Sequence, residues 1–264
     1  RSSSVEMREQ DIILCSFRDS VAPKLINTDA HLLDGLIKGV FPDAESTLNV
    51  DQLLLGHIST ECDSQNLQKT ESFINKVVQL HQILKLQLGV MLVGQSGSGK
   101  TTVWRTLLAA LARKEGVRGE ATVIEPKAFG KEELYGVLDQ TTMEWTDGIF
   151  TSTLRRICSN NNGELERREW IVFDGDVDPE WAENLNSVLD DNRLLTLPNG
   201  ERLSIPQNVK LIFEVESLKY ATLATVSRCG MVWFSSEVVS PTDLIRNFLD
   251  GVTNEKHVLD SKVE

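Results

Sequence analysis

Apolar and polar positions divide the chain into two kinds of pattern. Up to about residue 86, apolar residues recur at helical spacing, in stretches near 6–19, 31–38, 51–57 and 67–86, with breaks at Pro23 and at Phe41-Pro42-Asp43. From Leu88 onward, short apolar runs near 88–93, 121–124, 170–174, 210–215 and 231–234 alternate with helical stretches. That alternation predicts an α/β fold: a five-stranded parallel sheet with helices on both faces, preceded by a helical segment. One feature interrupts it. Two short alternating runs, 193–197 and 201–205, flank Pro198-Asn199-Gly200, and Asn-Gly between such runs predicts a β-hairpin insert.

The first apolar run leads into Gly94-Gln95-Ser96-Gly97-Ser98-Gly99-Lys100-Thr101-Thr102. This fits G-x-x-x-x-G-K-[ST], a loop in which glycines let successive backbone N–H groups face phosphates, the lysine reaches the outer phosphates and the hydroxyl coordinates Mg²⁺. The flanks agree with it. A buried strand precedes the loop, and residues 101–113 carry a helical apolar stripe whose N-terminus would face the phosphates. A flexible Gly/Ser turn would explain neither Lys100-Thr101 nor that order of elements.

Composition narrows the picture. With 264 residues, 41% apolar and 25% charged, the chain can bury a sizeable core as one large or two modest domains. No apolar run reaches the length of a membrane span, and the first residues lack the apolar stretch of a signal peptide. No membrane partner is expected. The formal charge of −12 disfavours a broad grip on nucleic acid. Cys15, Cys62, Cys158 and Cys229 are scattered without C-x-x-C spacing, and His31, His57, His81 and His257 form no metal-spaced pair, so reduced cytosolic thiols are expected.

A second chemical element lies more than seventy residues beyond the loop. Trp170-Ile171-Val172-Phe173 ends in Asp174, and a carboxylate at the C-terminal edge of a parallel strand can hold Mg²⁺, directly or through water. In hydrolytic relatives of this architecture an acidic residue follows that Asp and orients the attacking water. Here the residue is Gly175, with Asp176, Asp178 and Glu180 further on. General-base positioning contributes roughly 10²- to 10⁴-fold in rate, so its loss leaves a site that binds nucleotide and turns it over slowly or not at all.

These segments, together with 181–192, the hairpin strings and Ala224-Thr225-Val226-Ser227-Arg228-Cys229-Gly230-Met231-Val232-Trp233-Phe234, resemble the second AAA+ module of dynein heavy chains, cytoplasmic dyneins most closely. The resemblance covers about 89–234. It implies a P-loop AAA+ large subdomain at 87–236, a segment 1–86 that ends the preceding module's small subdomain and connects to this one, and a truncated start of the small lid subdomain at 237–264. It further implies ATP or ADP with Mg²⁺ on residues 94–102 and Asp174, with Thr101 and Asp174 serving the metal.

Dynein heavy chains carry six such modules in a ring, the first of which hydrolyses ATP to drive movement along microtubules. The resemblance therefore implies a cytoplasmic, cytoskeleton-associated parent chain whose partners are the adjacent modules and a mechanical linker, with microtubules contacted only by distant parts. Arg228 stands where such modules carry an arginine finger that reaches the neighbouring site. An arginine satisfying its own helix's terminal carbonyls is the plainer alternative.

The γ-phosphate sensor position falls on Glu214 or Glu216 rather than Asn. The inserts at 131–150 and at the Asn-Gly hairpin correspond to those facing the linker, although Trp145 and Phe150 suit the core. The competing functional classes are a self-sufficient AAA+ ATPase that remodels proteins, with Asp176 or Glu180 as base, and, less well supported, a small-molecule kinase.

Overall fold

The computed structural model describes residues 13–14, 17, 21, 24–25, 27–41, 51–160 and 167–260. Most of the helix expected over 6–19 lies outside them. Ahead of the sheet lie the helices α1 (Asn27–Val40), α2 (Gln52–Ser64) and α3 (Glu71–Leu86). The side chain of Asp51 caps α2 by accepting from the N–H groups of Leu53 and Leu54, and Thr70 caps α3 by accepting from Phe73 N. The stretch expected as helix from Leu67 therefore starts at Glu71, because the Thr70 hydroxyl fixes the first turn there.

Five parallel strands follow, in the order β2-β5-β8-β1-β9: β1 (Gly89–Val93), β2 (Gly119–Ile124), β5 (Arg168–Asp174), β8 (Val209–Val215) and β9 (Gly230–Trp233). The expected sheet is present, with boundaries shifted by one or two residues. Helix α4 (Lys100–Glu115) joins β1 to β2. Between β2 and β5 run α5 (Lys131–Tyr135), the short hairpin β3 (Gly136–Leu138) and β4 (Trp145–Asp147), and α6 (Ile149–Asn160). Between β5 and β8 come α7 (Pro179–Ala182), α8 (Asn186–Leu189) and the hairpin β6 (Leu194–Thr196) with β7 (Arg202–Ser204), which is the Asn-Gly hairpin read from the sequence. Helix α9 (Leu223–Arg228) precedes β9, and α10 (Pro241–Asp260) follows it.

Successive strand residues face opposite sides, so each central strand feeds two cores. Val90, Leu92, Val172 and Ile212 pack with α2, α3 and α4 on one face. Met91, Val93, Ile171, Phe173, Leu211 and Phe213 pack with α5 to α8 on the other. On that second face Phe173 stacks on Phe213 with centroids 5.2 Å apart and meets Phe150 at 5.4 Å. Phe150 is fully buried and Trp145 packs against the same cluster, the core role that suits their size.

Because β2 lies at the far edge and the chain returns through β5 and β8 to the side of β1, the loops leaving β1, β5 and β8 gather at one end of the sheet. Ligands of open α/β sheets bind at that carboxyl end.

Candidate functional site

The buried β1 delivers Gly94 to a position where a Cβ would come within 2.5 Å of the Phe234 carbonyl oxygen, so only glycine fits. Gly97 and Gly99 adopt φ of 79° and 93°, the left-handed region open to glycine, and turn the loop into α4. Lys100 Nζ donates to the carbonyl oxygens of Gly94 at 2.6 Å and Gln95 at 2.9 Å. Burial lowers the pKa of Lys100, and Glu214, Asp174 and Glu216 oppose the shift.

A cavity of about 550 Å³ opens over the loop, lined by Ser96, Gly97, Gly99, Lys100, Thr101, Thr102 and Asp174. It brings the two distant sequence elements together. Gln95, exposed, and Ser98 and Gly94, both buried, belong to the loop without lining that cavity. Thr101 and Asp174 present hard oxygen donors to the same space, the donor chemistry that Mg²⁺ requires.

The acidic side of this cavity is fuller than the sequence suggested. Asp174 and Glu214 are register partners at the ends of β5 and β8. Thr101 Oγ1 donates to Glu214 Oε2 at 2.6 Å, and Trp104 Nε1 donates to Glu214 Oε1. Glu214 is 5% exposed, held between the phosphate loop's hydroxyl and an indole, so it does not face solvent. Glu216 lies just past β8, exposed on the cavity lining.

Gly175 has φ 143°, and its N–H donates to the Glu214 carbonyl at 3.0 Å. Asp176 lines the cavity with its carboxylate 3.3 Å from Lys127 Nζ. Asp178 caps α7 by accepting from Glu180 N, and Glu180 is exposed away from the cavity lining.

The sequence reading missed the far wall. Leu67, Gln68, Thr70, Phe73, Val238, Val239, Asp243, Leu244 and Asn247 close it, with Gln68 N donating to Asn247 Oδ1 at 2.9 Å. These residues lie up to 180 positions apart and share no spacing motif, so only the fold unites them. Arg228 lies outside this cavity. At the end of α9 its Nε donates to Asp190 Oδ1 at 2.5 Å and its Nη1 to the Ala224 carbonyl at 2.8 Å, with the side chain 35% exposed.

Fold and site together define a P-loop AAA module with a site for ATP or ADP. A family model described as AAA domain, dynein-related subfamily, matches residues 89–229, and the chain belongs to that subfamily. A second, described as the hydrolytic ATP binding site of the dynein motor region, matches residues 1–101. The chain is similar to the cytoplasmic dynein heavy chains of Paramecium tetraurelia (56% identical over 255 residues, 97% of this chain and 6% of that protein) and Caenorhabditis elegans (55% over 251 residues, 92% and 6%). It is also similar to that of Dictyostelium discoideum (51% over 248 residues, 94% and 5%). It thus spans only about one-twentieth of the length of these relatives.

Among the described residues no helix is long and apolar enough to cross a membrane. Cys62, Cys158 and Cys229 are free thiols.

Proposed function

We propose that the chain is the second AAA+ module of a cytoplasmic dynein heavy chain, binding Mg-ATP tightly and hydrolysing it slowly or not at all. The carrying observation is the pairing of Gly175 after Asp174 with the capture of Glu214 by Thr101 and Trp104. No carboxylate then stands free at the position that orients water, and the buried one next to it is already bonded on both oxygens.

Lys100 and the loop N–H groups would hold the phosphates, while Thr101 and Asp174 would hold the cation, Asp174 directly or through water. Bound Mg²⁺ supplies charge neutralisation across the outer phosphates. Five carboxylates, Asp174, Asp176, Glu214, Glu216 and Asp243, line the cavity, so phosphate binding there depends on the metal.

Arg228 is assigned as the finger for the neighbouring module. Its guanidinium is partly exposed at the end of α9, and its present bonds to Asp190 and Ala224 would be exchanged at the ring interface. The match of the hydrolytic-site family model to residues 1–101 supports reading 1–86 as the end of the preceding module with its connector. On this reading 87–236 is the large subdomain and 237–264 the start of the lid. The parent chain is cytoplasmic and cytoskeletal, its linker facing the two hairpin inserts and its distant parts meeting microtubules. The competing self-sufficient ATPase draws on Asp176 in the cavity lining, but that carboxylate is paired with Lys127.

The test is the fate of nucleotide. After incubation with Mg-ATP, the protein-bound fraction should still be ATP; bound ADP with released phosphate sinks the reading. In the full motor, Arg228→Ala should lower microtubule-stimulated turnover by roughly 10³-fold or more, and unchanged turnover removes the finger assignment.

A further inference from the structure

At the other end of the sheet, where β5 and β8 begin, a second cavity of about 540 Å³ opens between them and the C-terminal ends of α3 and α4. Its charge opposes that of the chain. Among the described residues, Lys85, Arg167, Arg168 and Lys210 line it against one carboxylate, Glu115, in a protein of formal charge −12.

Three nitrogens of its lining are buried without a hydrogen-bond partner: Trp170 Nε1, Arg168 Nη1 and His81 Nε2. Trp170 is 1% exposed, and unpaired donors buried to that degree are rare in native proteins. Arg168 Nη2 is fixed by Glu115 at 2.6 Å, which orients the fork while leaving Nη1 over. Lys210 Nζ donates to the Gln87 carbonyl at 2.9 Å and keeps two N–H bonds to give.

Cations outnumber carboxylates in the lining. Burial, with Arg193 and Arg168, pushes Lys210 down to about 8, and burial, with Lys85, Lys114 and Arg168, pushes His81 down to about 4. Leu84, Leu111 and Val117 complete the lining with an apolar surface.

We infer that this cavity binds a small organic phosphate, its oxygens on Arg168, Lys210 and the indole N–H of Trp170, and its apolar body against Leu84, Leu111 and Val117. A dianion suits a lining in which cations predominate better than a carboxylate does. Donors arriving from three different groups suit a tetrahedral oxyanion. The site is separate from the nucleotide cavity: Arg168 begins β5 and Asp174 ends it.

The probe is phenyl phosphate, titrated without Mg²⁺ into the 264-residue chain carrying Lys100→Ala, which disables the phosphate loop. Tryptophan fluorescence and calorimetry should report one saturable site with Kd below about 1 mM. Lys210→Met and Trp170→Phe should each weaken it about ten-fold, as should replacing the probe by benzoate. Lys210→Met changes a side chain that is only partly buried, unlike Trp170, so it carries the test if Trp170→Phe misfolds. Binding that does not saturate, that ignores Lys210→Met, or that favours benzoate overturns the inference.

Discussion

Gly175 is more than a missing side chain. Space beside it is open, the nearest atom to an added Cβ being Pro126 Cδ at 3.8 Å, but φ of 143° lies in the region that L side chains avoid. Its N–H is also tied to the Glu214 carbonyl. Gly175→Glu should therefore cost roughly 1–3 kcal/mol in urea unfolding, and the strained backbone will not aim the new carboxylate as a hydrolytic module does, so phosphate release should stay near that of the parent.

His81 gives a second residue-scale prediction. Burial and the cations Lys85, Lys114 and Arg168 depress its pKa from 6.5 to about 4, against a smaller raising effect of Asp51. Between those values the unfolded chain binds the proton and the folded chain does not, so stability falls as pH drops from about 6.5 to about 4 and is unaffected by this group above that window. A His81→Asn chain should lack that part of the loss, on the order of 1–3 kcal/mol after allowance for partial exposure, in paired urea titrations at pH 7 and pH 4.5.

Among the elements, Arg155 on α6 joins both hairpins. Its Nη1 and Nη2 donate to the two carboxylate oxygens of Glu201 at 2.8 and 2.6 Å, and its Nε lies 2.6 Å from Asp147 Oδ2 on β4. Since these groups are partly exposed, Arg155→Ala should cost about 1 kcal/mol and raise amide exchange in β3–β4 and in β6–β7 together. If only one hairpin loosens, the joint clamp is wrong.

The two hairpins were not equally legible. Asn199-Gly200 announced β6–β7 by turn chemistry, with Gly200 at φ 86°. The strands β3 and β4 are three residues each, too short for a period, and Gly136 is fixed there by the Trp145 ring, 2.4 Å from where its Cβ would be. The central strands β1, β5 and β8 were readable because each is built on an apolar run that is buried on both faces. The phosphate loop was readable because its donors are consecutive. Glu214's grip on Thr101 and the wall from Leu67 to Asn247 were not, since contacts 113 and 179 residues apart leave no local spacing.

At the scale of the whole molecule, the nucleotide cavity sits where the sheet, the loop before α3 and the segment from Val238 through α10 converge. A ligand there touches parts that also meet through the packing of Leu67, Val238 and Val239 and through polar contacts such as Gln68 with Asn247 and Asp250, so its binding free energy should appear as stability of the entire chain. At a hundred times Kd, Mg-ATP should add about 2.7 kcal/mol. Lys100→Ala should leave the unliganded fold near its parent stability, because among the described residues Nζ hydrogen-bonds to its own loop's carbonyls, yet abolish most of that gain. Time then separates binding from turnover. If the site holds ATP without cleaving it, the Tm gain measured after hours with Mg-ATP equals the gain at mixing. A gain that decays toward the Mg-ADP value would mean that Gly175 and the engaged Glu214 do not prevent hydrolysis.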